Sequence, residues 1–247
     1  MDRLVDTALT AMRGAMSRQA TIANNLSNAN TVGFRAEIAN ATTRWINGQT
    51  FNTRAQSAEQ VLGADMSQGT VTATGNPLDI AIDGEAMLAV QADDGSEAYT
   101  RRGDLKQTDS GLLTTGDGLP VIGQSGPVTL PPYDSISIAK DGGIWIVPVG
   151  GDAKQPQQVD QLKLVNATGS QIAKGIDGLF REVNGGALPD DPLASVTSSS
   201  LEGSNVNATE MLVQMIEASR AWETQVKMID TAKQIDDGGA RLMSLDG

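Results

Sequence analysis

The stretch Ala23-Asn24-Asn25-Leu26-Ser27-Asn28-Ala29-Asn30-Thr31-Val32-Gly33-Phe34-Arg35 sets four asparagines within the seven residues from Asn24 to Asn30. Asparagine competes with the helical backbone for hydrogen bonds and visits the left-handed region readily, so a run of this kind ends a helix. Gly33 behind it reads as a turn. The chain therefore changes character here, from helix before the run to something else after it.

Upstream, apolar residues recur at Val5, Leu9, Met12, Met16, Ala23 and Leu26, with Gln19 completing a 4-3-4-3-4-3 spacing. A second row runs through Leu4, Ala8, Ala11, Ala15 and Ile22. The two rows read as one broad apolar side of a helix, at the spacing with which helices wind around one another. Gln19 and the alanines dilute that side, so a single pair would associate weakly and many neighbours are needed to hold it.

The far end mirrors the near one. Leu212, Met215, Ser219, Trp222, Val226 and Ile229 follow a 3-4-3-4-3 spacing. Asn207 with Glu210 three residues on predicts the start of this second helix, the asparagine side chain accepting from a free backbone N–H. Asp237-Gly238-Gly239 predicts its end or an interruption.

Between the helices, Asp83-Gly84, Asp94-Gly95, Asp117-Gly118, Asp141-Gly142, Asp177-Gly178 and Asn184-Gly185 are turn dipeptides separated by short apolar runs such as Ile144-Trp145-Ile146-Val147. Several of these runs alternate with the two-residue period of a half-buried strand. The fold class that results is mixed α and β: N- and C-terminal α-helices forming a coiled-coil-like assembly domain, with a central antiparallel β-rich domain. The organisation expected is an assembly helix and Asn-rich cap over 1–40, a connecting segment over 41–75, a β-rich outer domain over 76–188, a return linker over 189–204 and a second assembly helix over 205–247. Pro189-Asp190-Asp191-Pro192 and Ser198-Ser199-Ser200 predict little regular structure in residues 187–200.

Composition narrows the function. Among 247 residues there is no histidine and no cysteine, which removes Ser-His-Asp and Cys-His catalysis, imidazole or thiolate zinc sites and disulfides. No cofactor or metal is called for, and no enzyme is expected. The net charge of −12 disfavours nucleic acid and anionic membrane as partners. The first fifty residues differ, with five arginines against three acidic residues, a sign suited to acidic neighbours. No 18-residue apolar stretch occurs, so no membrane insertion is expected, and the first thirty residues lack the pattern of a cleaved signal peptide.

Carboxylates offer the one enzymatic alternative. Asp79 with Asp83, or Asp93 with Asp94, would be the acid and base of a cell-wall-acting hydrolase. The bland reading is the stronger, because Asp83 and Asp94 each precede glycine, where aspartate bonds its own turn. A calcium loop at Asp93-Asp94-Gly95 is incomplete for lack of spaced oxygen ligands.

The residues from Asn24 to Phe34 resemble the N-terminal signature shared by bacterial flagellar rod and hook proteins, Asn-Asn-Leu-x-Asn-x-Asn-Thr-x-Gly-Phe. Leu201-Glu202-Gly203-Ser204-Asn205-Val206-Asn207, followed by Glu210-Met211, Met215-Ile216, Arg220, Glu223 and Lys227, resembles the C-terminal signature. Thr74-Gly75-Asn76-Pro77-Leu78-Asp79-Ile80-Ala81-Ile82-Asp83-Gly84-Glu85 and Tyr99-Thr100-Arg101-Arg102-Gly103 resemble the β domain of the same family. This chain departs from the pattern at Ala86-Met87-Leu88, where the family continues with glycine and two phenylalanines, at Leu105, where an aromatic is usual, and at Trp222, where tyrosine is common.

The resemblance implies a structural subunit of the basal-body rod that polymerises through its terminal helices. The Met1-Asp2-Arg3-Leu4 opening and modest length point to the proximal part of the rod, with a distal rod or hook subunit as the alternative. The partners implied are copies of the chain, other rod proteins and, in transit, the flagellar type III export apparatus. The location implied is the periplasmic rod of the basal body, reached without a cleaved signal peptide. The assembly surface expected comprises Val5, Leu9, Met12, Met16, Ala23, Asn24, Asn25, Leu26, Asn28, Asn30, Gly33 and Phe34, with Leu212, Met215, Trp222, Val226 and Ile229.

Overall fold

A computed structural model describes residues 2–46 and 54–244. Helices α1 (Asp2–Ser27) and α2 (Ala208–Ser244) flank a large region of short strands, so the mixed architecture read from the sequence is present. The chain forms two compact units, one of Met1–Ser27, Glu37–Gly63 and Asn207–Gly247, the other of Asn28–Ala36 and Ala64–Val206.

The first unit holds both helices and a two-stranded ribbon, β1 (Glu37–Ile46) with β2 (Arg54–Ala64). Helix α1 stops at Ser27, inside the asparagine run. Helix α2 is capped as its sequence predicts: Oδ1 of Asn207 accepts from the backbone N–H groups of Thr209 and Glu210 at 3.1 and 3.3 Å, satisfying donors that have no partner within the helix. The expected stop at Asp237-Gly238-Gly239 is corrected, because α2 runs through it to Ser244. Each glycine weakens a helix by only about 1 kcal/mol relative to alanine, and the strong helix formers Ala240, Arg241, Leu242 and Met243 follow.

In the second unit every strand pair is antiparallel. Its strands include β3 (Val71–Ala73), β4 (Ile80–Ile82), β5 (Ala86–Gln91) and β6 (Glu97–Thr100). The main sheet has five strands in the order Leu164–Asn166, β5, β6, Phe180–Glu182, Ile172–Lys174. Strand β5 is buried on both faces, and its alternation sorts the core. Ala86, Leu88 and Val90 join the larger cluster with Ile80, Ile82, Leu105, Leu113 and Ile144. Met87 and Ala89 pack on the other face with Tyr99, Val165, Phe180 and Leu188.

A three-stranded sheet of Tyr133–Ile138, Gly143–Pro148 and Gln157–Gln161 turns at Asp141-Gly142. There Oδ1 of Asp141 accepts from Gly143 N–H at 3.0 Å, and Gly142 takes a φ of +81°, a value that glycine adopts without steric cost.

The segment expected to lack regular structure, 187–200, contains one strand, Val196–Ser198, and the first residue of another, Ser200–Glu202. Val196–Ser198 pairs with β4 and Ser200–Glu202 with β3. Between them Ser199 has a φ of 54°, and its carbonyl accepts from Thr74 and Gly75 N–H groups at 2.9 and 3.2 Å. The kink lets one run of chain leave β4 and take up β3. Composition misled here because the exposed edges of β3 and β4 supply the ladder partners that the Ser-rich segment does not supply itself.

Candidate assembly interface

Helices α1 and α2 pack on each other within the first unit. Their seam uses the smaller of the two rows on α1: Ala8 and Ile22 are buried, Ala11 and Ala15 half-buried. On α2, Ala218 and Ala232 are buried, and Met211, Met215, Trp222, Gln225 and Ile229 are half-buried. This is a continuous 4-3-4-3-4-3 row. Met215, Trp222 and Ile229 of the expected assembly surface belong to it; 211, 218 and 225 lie one position before 212, 219 and 226 of the row read from the sequence, and 232 extends it. Small side chains let the helices approach closely, and the facing Ala11, Gly14, Ala15, Ala218 and Ala221 leave a cavity of about 240 Å³ between them.

The heptad row of α1 is turned away from that seam. Leu9 is 43% and Met16 58% exposed, while Met12, Ala23 and Leu26 are half-buried. Val5 lies in α1, and its side chain falls outside the described ones. On α2, Leu212 is 50% and Val226 37% exposed, joined by the exposed Val213 and Ile216. Each helix thus carries one apolar row closed within the chain and a second that faces solvent.

The asparagines divide in the same way. Asn25 is buried, and its side-chain amide clamps Glu37 by donating to the Glu37 carbonyl at 2.9 Å and accepting from its N–H at 2.8 Å. Asn24 donates to Oε1 of Glu37 at 2.8 Å. In the second unit, Asn28 accepts from Thr31 at both its backbone carbonyl and Oδ1, each at 3.1 Å. Asn30 is exposed.

Gly33 has a φ of +66°, and a Cβ there would collide with the Arg101 backbone. Its N–H donates to the Glu202 carbonyl at 2.8 Å. Nζ of Lys174 lies 3.7 Å from the centroid of the Phe34 ring and donates to the Arg35 carbonyl at 3.0 Å.

Sequence reasoning missed the ionic centre of the second unit. Glu202 is fully buried: Oε1 accepts from Nη2 of Arg35 at 2.7 Å and from Gly69 N–H at 2.8 Å, and Oε2 accepts from Nε and Nη2 of Arg101 at 3.0 and 2.6 Å. Arg101 also donates to the carbonyls of Ile82, Gly84 and Ala86. Burial holds its guanidinium below the usual range, and Glu202 works against that shift. Nearby, Asn205 donates to the carbonyls of Asp65 and Ser67, accepts from Ala36 N–H through Oδ1 and gives its own N–H to the Phe34 carbonyl. The available signal was that Arg35 directly follows the N-terminal family-like stretch, while Arg101 and Glu202 stand in the β-domain and C-terminal ones.

Three of the four aspartates weighed as catalysts are occupied by local structure. Asp79 accepts from Thr74 Oγ1 and Asn76 Nδ2 at 2.6 and 2.9 Å, and Asp83 from Ser195 Oγ and Thr197 Oγ1 at 2.8 and 3.1 Å. Asp94 closes its own turn on Ser96, whose hydrogen bonds hold its carboxyl below the usual range. Among the described residues no His/Cys/Asp/Glu group could hold a metal ion, and no helix is long and apolar enough to cross a membrane.

Residues 6–35 match the family described as flagella basal body rod protein, residues 81–146 the flagellar hook protein FlgE/F/G D1 domain, and residues 197–242 the flagellar basal body rod FlgEFG protein C-terminal family. The chain is 40% identical to the flagellar basal-body rod protein FlgF of Escherichia coli (strain K12) over 251 residues, spanning 99% of this chain and 98% of the relative. It is 37% identical to FlgF of Salmonella typhimurium, spanning 99% and 100%. Against the flagellar basal-body rod protein FlgG of Bacillus subtilis (strain 168) the identity is 30%, spanning 95% and 97%.

Proposed function

The chain belongs to the flagellar basal-body rod protein family, as a structural rod subunit and not an enzyme, and from that premise we propose that it polymerises through the outward rows of its two terminal helices. The observation that carries this reading is the double use of each helix: Leu9 and Met16 on α1, and Leu212 and Val226 on α2, stay exposed although a complete seam already joins the two helices. A second apolar row on a helix with a satisfied first row is the pattern of a subunit with neighbours on more than one side.

The neighbours are copies of the chain and other rod proteins, coiled together as a coaxial core in the proximal part of the rod, with the β-rich unit facing outward. Met12, Ala23 and Leu26 extend the outward row of α1, Met215, Trp222 and Ile229 support the packed helices, and the Asn24 to Phe34 stretch fixes how the chain leaves α1. The subunit reaches the periplasmic rod through the flagellar export apparatus.

The test is the paired variant Met16→Asp with Leu212→Asp, which charges both outward rows and leaves the Ala8, Ala15, Ala218 and Ala232 seam untouched. Cells should make a chain whose β-rich unit melts at the parental temperature and that is not incorporated into rods. Normal rod growth with this variant would overturn the proposal.

A further inference from the structure

Three charged side chains wholly excluded from solvent meet in the second unit, Arg35, Arg101 and Glu202. Two are cations, and the one anion lies 101 residues after Arg101 and 167 after Arg35. Arg101 is supported in part by three backbone carbonyls. Arg35 is not: among the described residues its Nε and Nη1 have no hydrogen-bond partner, and Nη2 is bonded to Glu202.

A buried guanidinium without its carboxylate is strongly unfavourable, and two of them side by side are worse. The strand that delivers the carboxylate, Ser200–Glu202, is also the last of the unit and the partner of β3. Before it docks, Gly33 N–H and Gly69 N–H lack the acceptors they have in the closed unit, the Glu202 carbonyl and Oε1. Every earlier strand except β3, which pairs with this one alone, can be present while the unit still has two cations that cannot be buried.

We propose that Glu202 is a folding checkpoint: the β-rich unit closes only when this carboxylate docks between Arg35 and Arg101, so a chain delivered N-terminus first stays open until residue 202 arrives. The device makes closure depend on possession of the whole unit, because the last strand carries the carboxylate that bonds the guanidiniums of the first and middle segments together.

The test is refolding of the full chain, followed through Trp145 fluorescence after Trp45 and Trp222 are replaced by Phe, with Glu202→Gln compared with the parent. A checkpoint predicts a folding rate lowered by about tenfold or more and an unfolding rate within about twofold of the parent, because the contact is already made in the transition state. If Glu202→Gln does not fold, Glu202→Asp, which keeps the charge on a shorter side chain, is read by the same division. Destabilisation that appears in the unfolding rate, with folding at the parental rate, would make the triad an ordinary late contact and overturn the proposal. So would a Glu202→Asp chain identical to the parent in both rates when Glu202→Gln does not fold.

Discussion

The side-chain amide of Asn25 meets the backbone of Glu37 as a strand would, accepting from its N–H at 2.8 Å and donating to its carbonyl at 2.9 Å. The last turn of α1 is thereby tied to the first residue of β1, and a buried polar side chain near a helix end has both hydrogen-bonding atoms engaged. Asn25→Ala leaves the Glu37 groups without these partners, at a cost of about 1–3 kcal/mol. Hydrogen exchange at the Glu37 amide should accelerate by about one to two decades, while amides of β5 keep parental rates.

Gly33→Ala should be among the most damaging conservative changes in the second unit. It forces a side chain into a left-handed conformation and against the Arg101 backbone. The two effects together should cost about 2 kcal/mol or more. Thermal unfolding of the β-rich unit should then fall by about 5 °C or more.

Tyr99 gives the unit an alkaline limit. Its buried hydroxyl accepts from Leu188 N–H and donates to Oε1 of Glu97 at 2.9 Å, and burial pushes its pKa up to about 12, against about 10 for an exposed tyrosine. The folded chain holds this proton longer than the unfolded chain does. The contribution is therefore complete below pH about 10 and is lost as pH rises through about 12. Denaturant midpoints taken across that window should decline less steeply in Tyr99→Phe than in the parent, although the variant is the less stable of the two near pH 8.

Asp79→Ala separates a structural aspartate from a catalytic one. Thr74 Oγ1 and Asn76 Nδ2 lose their shared acceptor, which should lower the stability of the second unit by about 1–3 kcal/mol. Peptidoglycan incubated with parent or variant should show the same background turnover. A hydrolytic rate present in the parent and absent in the variant would contradict the structural assignment.

How much of this could be read from the letters depends on what each feature is made of. The helices and hairpins were legible because periodicity and Asp-Gly turns are local signals, and Asn207 caps α2 as its spacing with Glu210 implied. On α2 the row that packs within the chain is not legible, because close helix packing selects Ala218 and Ala232, whose small size carries no hydrophobic signal of its own, while Leu212 and Val226 lie on the exposed side. Ser200–Glu202 was read as linker because its ladder partner, β3, lies about 130 residues earlier, beyond the reach of a local pattern. Arg35, Arg101 and Glu202 look like surface charges in any window, and only the fold shows that they share one buried carboxylate.

The bond from Asn205 Nδ2 to the Asp65 carbonyl at 2.8 Å sets the two ends of the longer segment of the second unit, residues 64–206, side by side. Topologically that segment is an insertion whose ends are one hydrogen bond apart, while the shorter segment, Asn28–Ala36, enters the unit separately. A body attached in this way can be lengthened, shortened or exchanged for another module with adjacent ends without altering the spacing at the point of attachment. The junction at residues 65 and 205 is thus a graft point, the natural place to splice a fluorescent or affinity domain into the chain in place of residues 66–204.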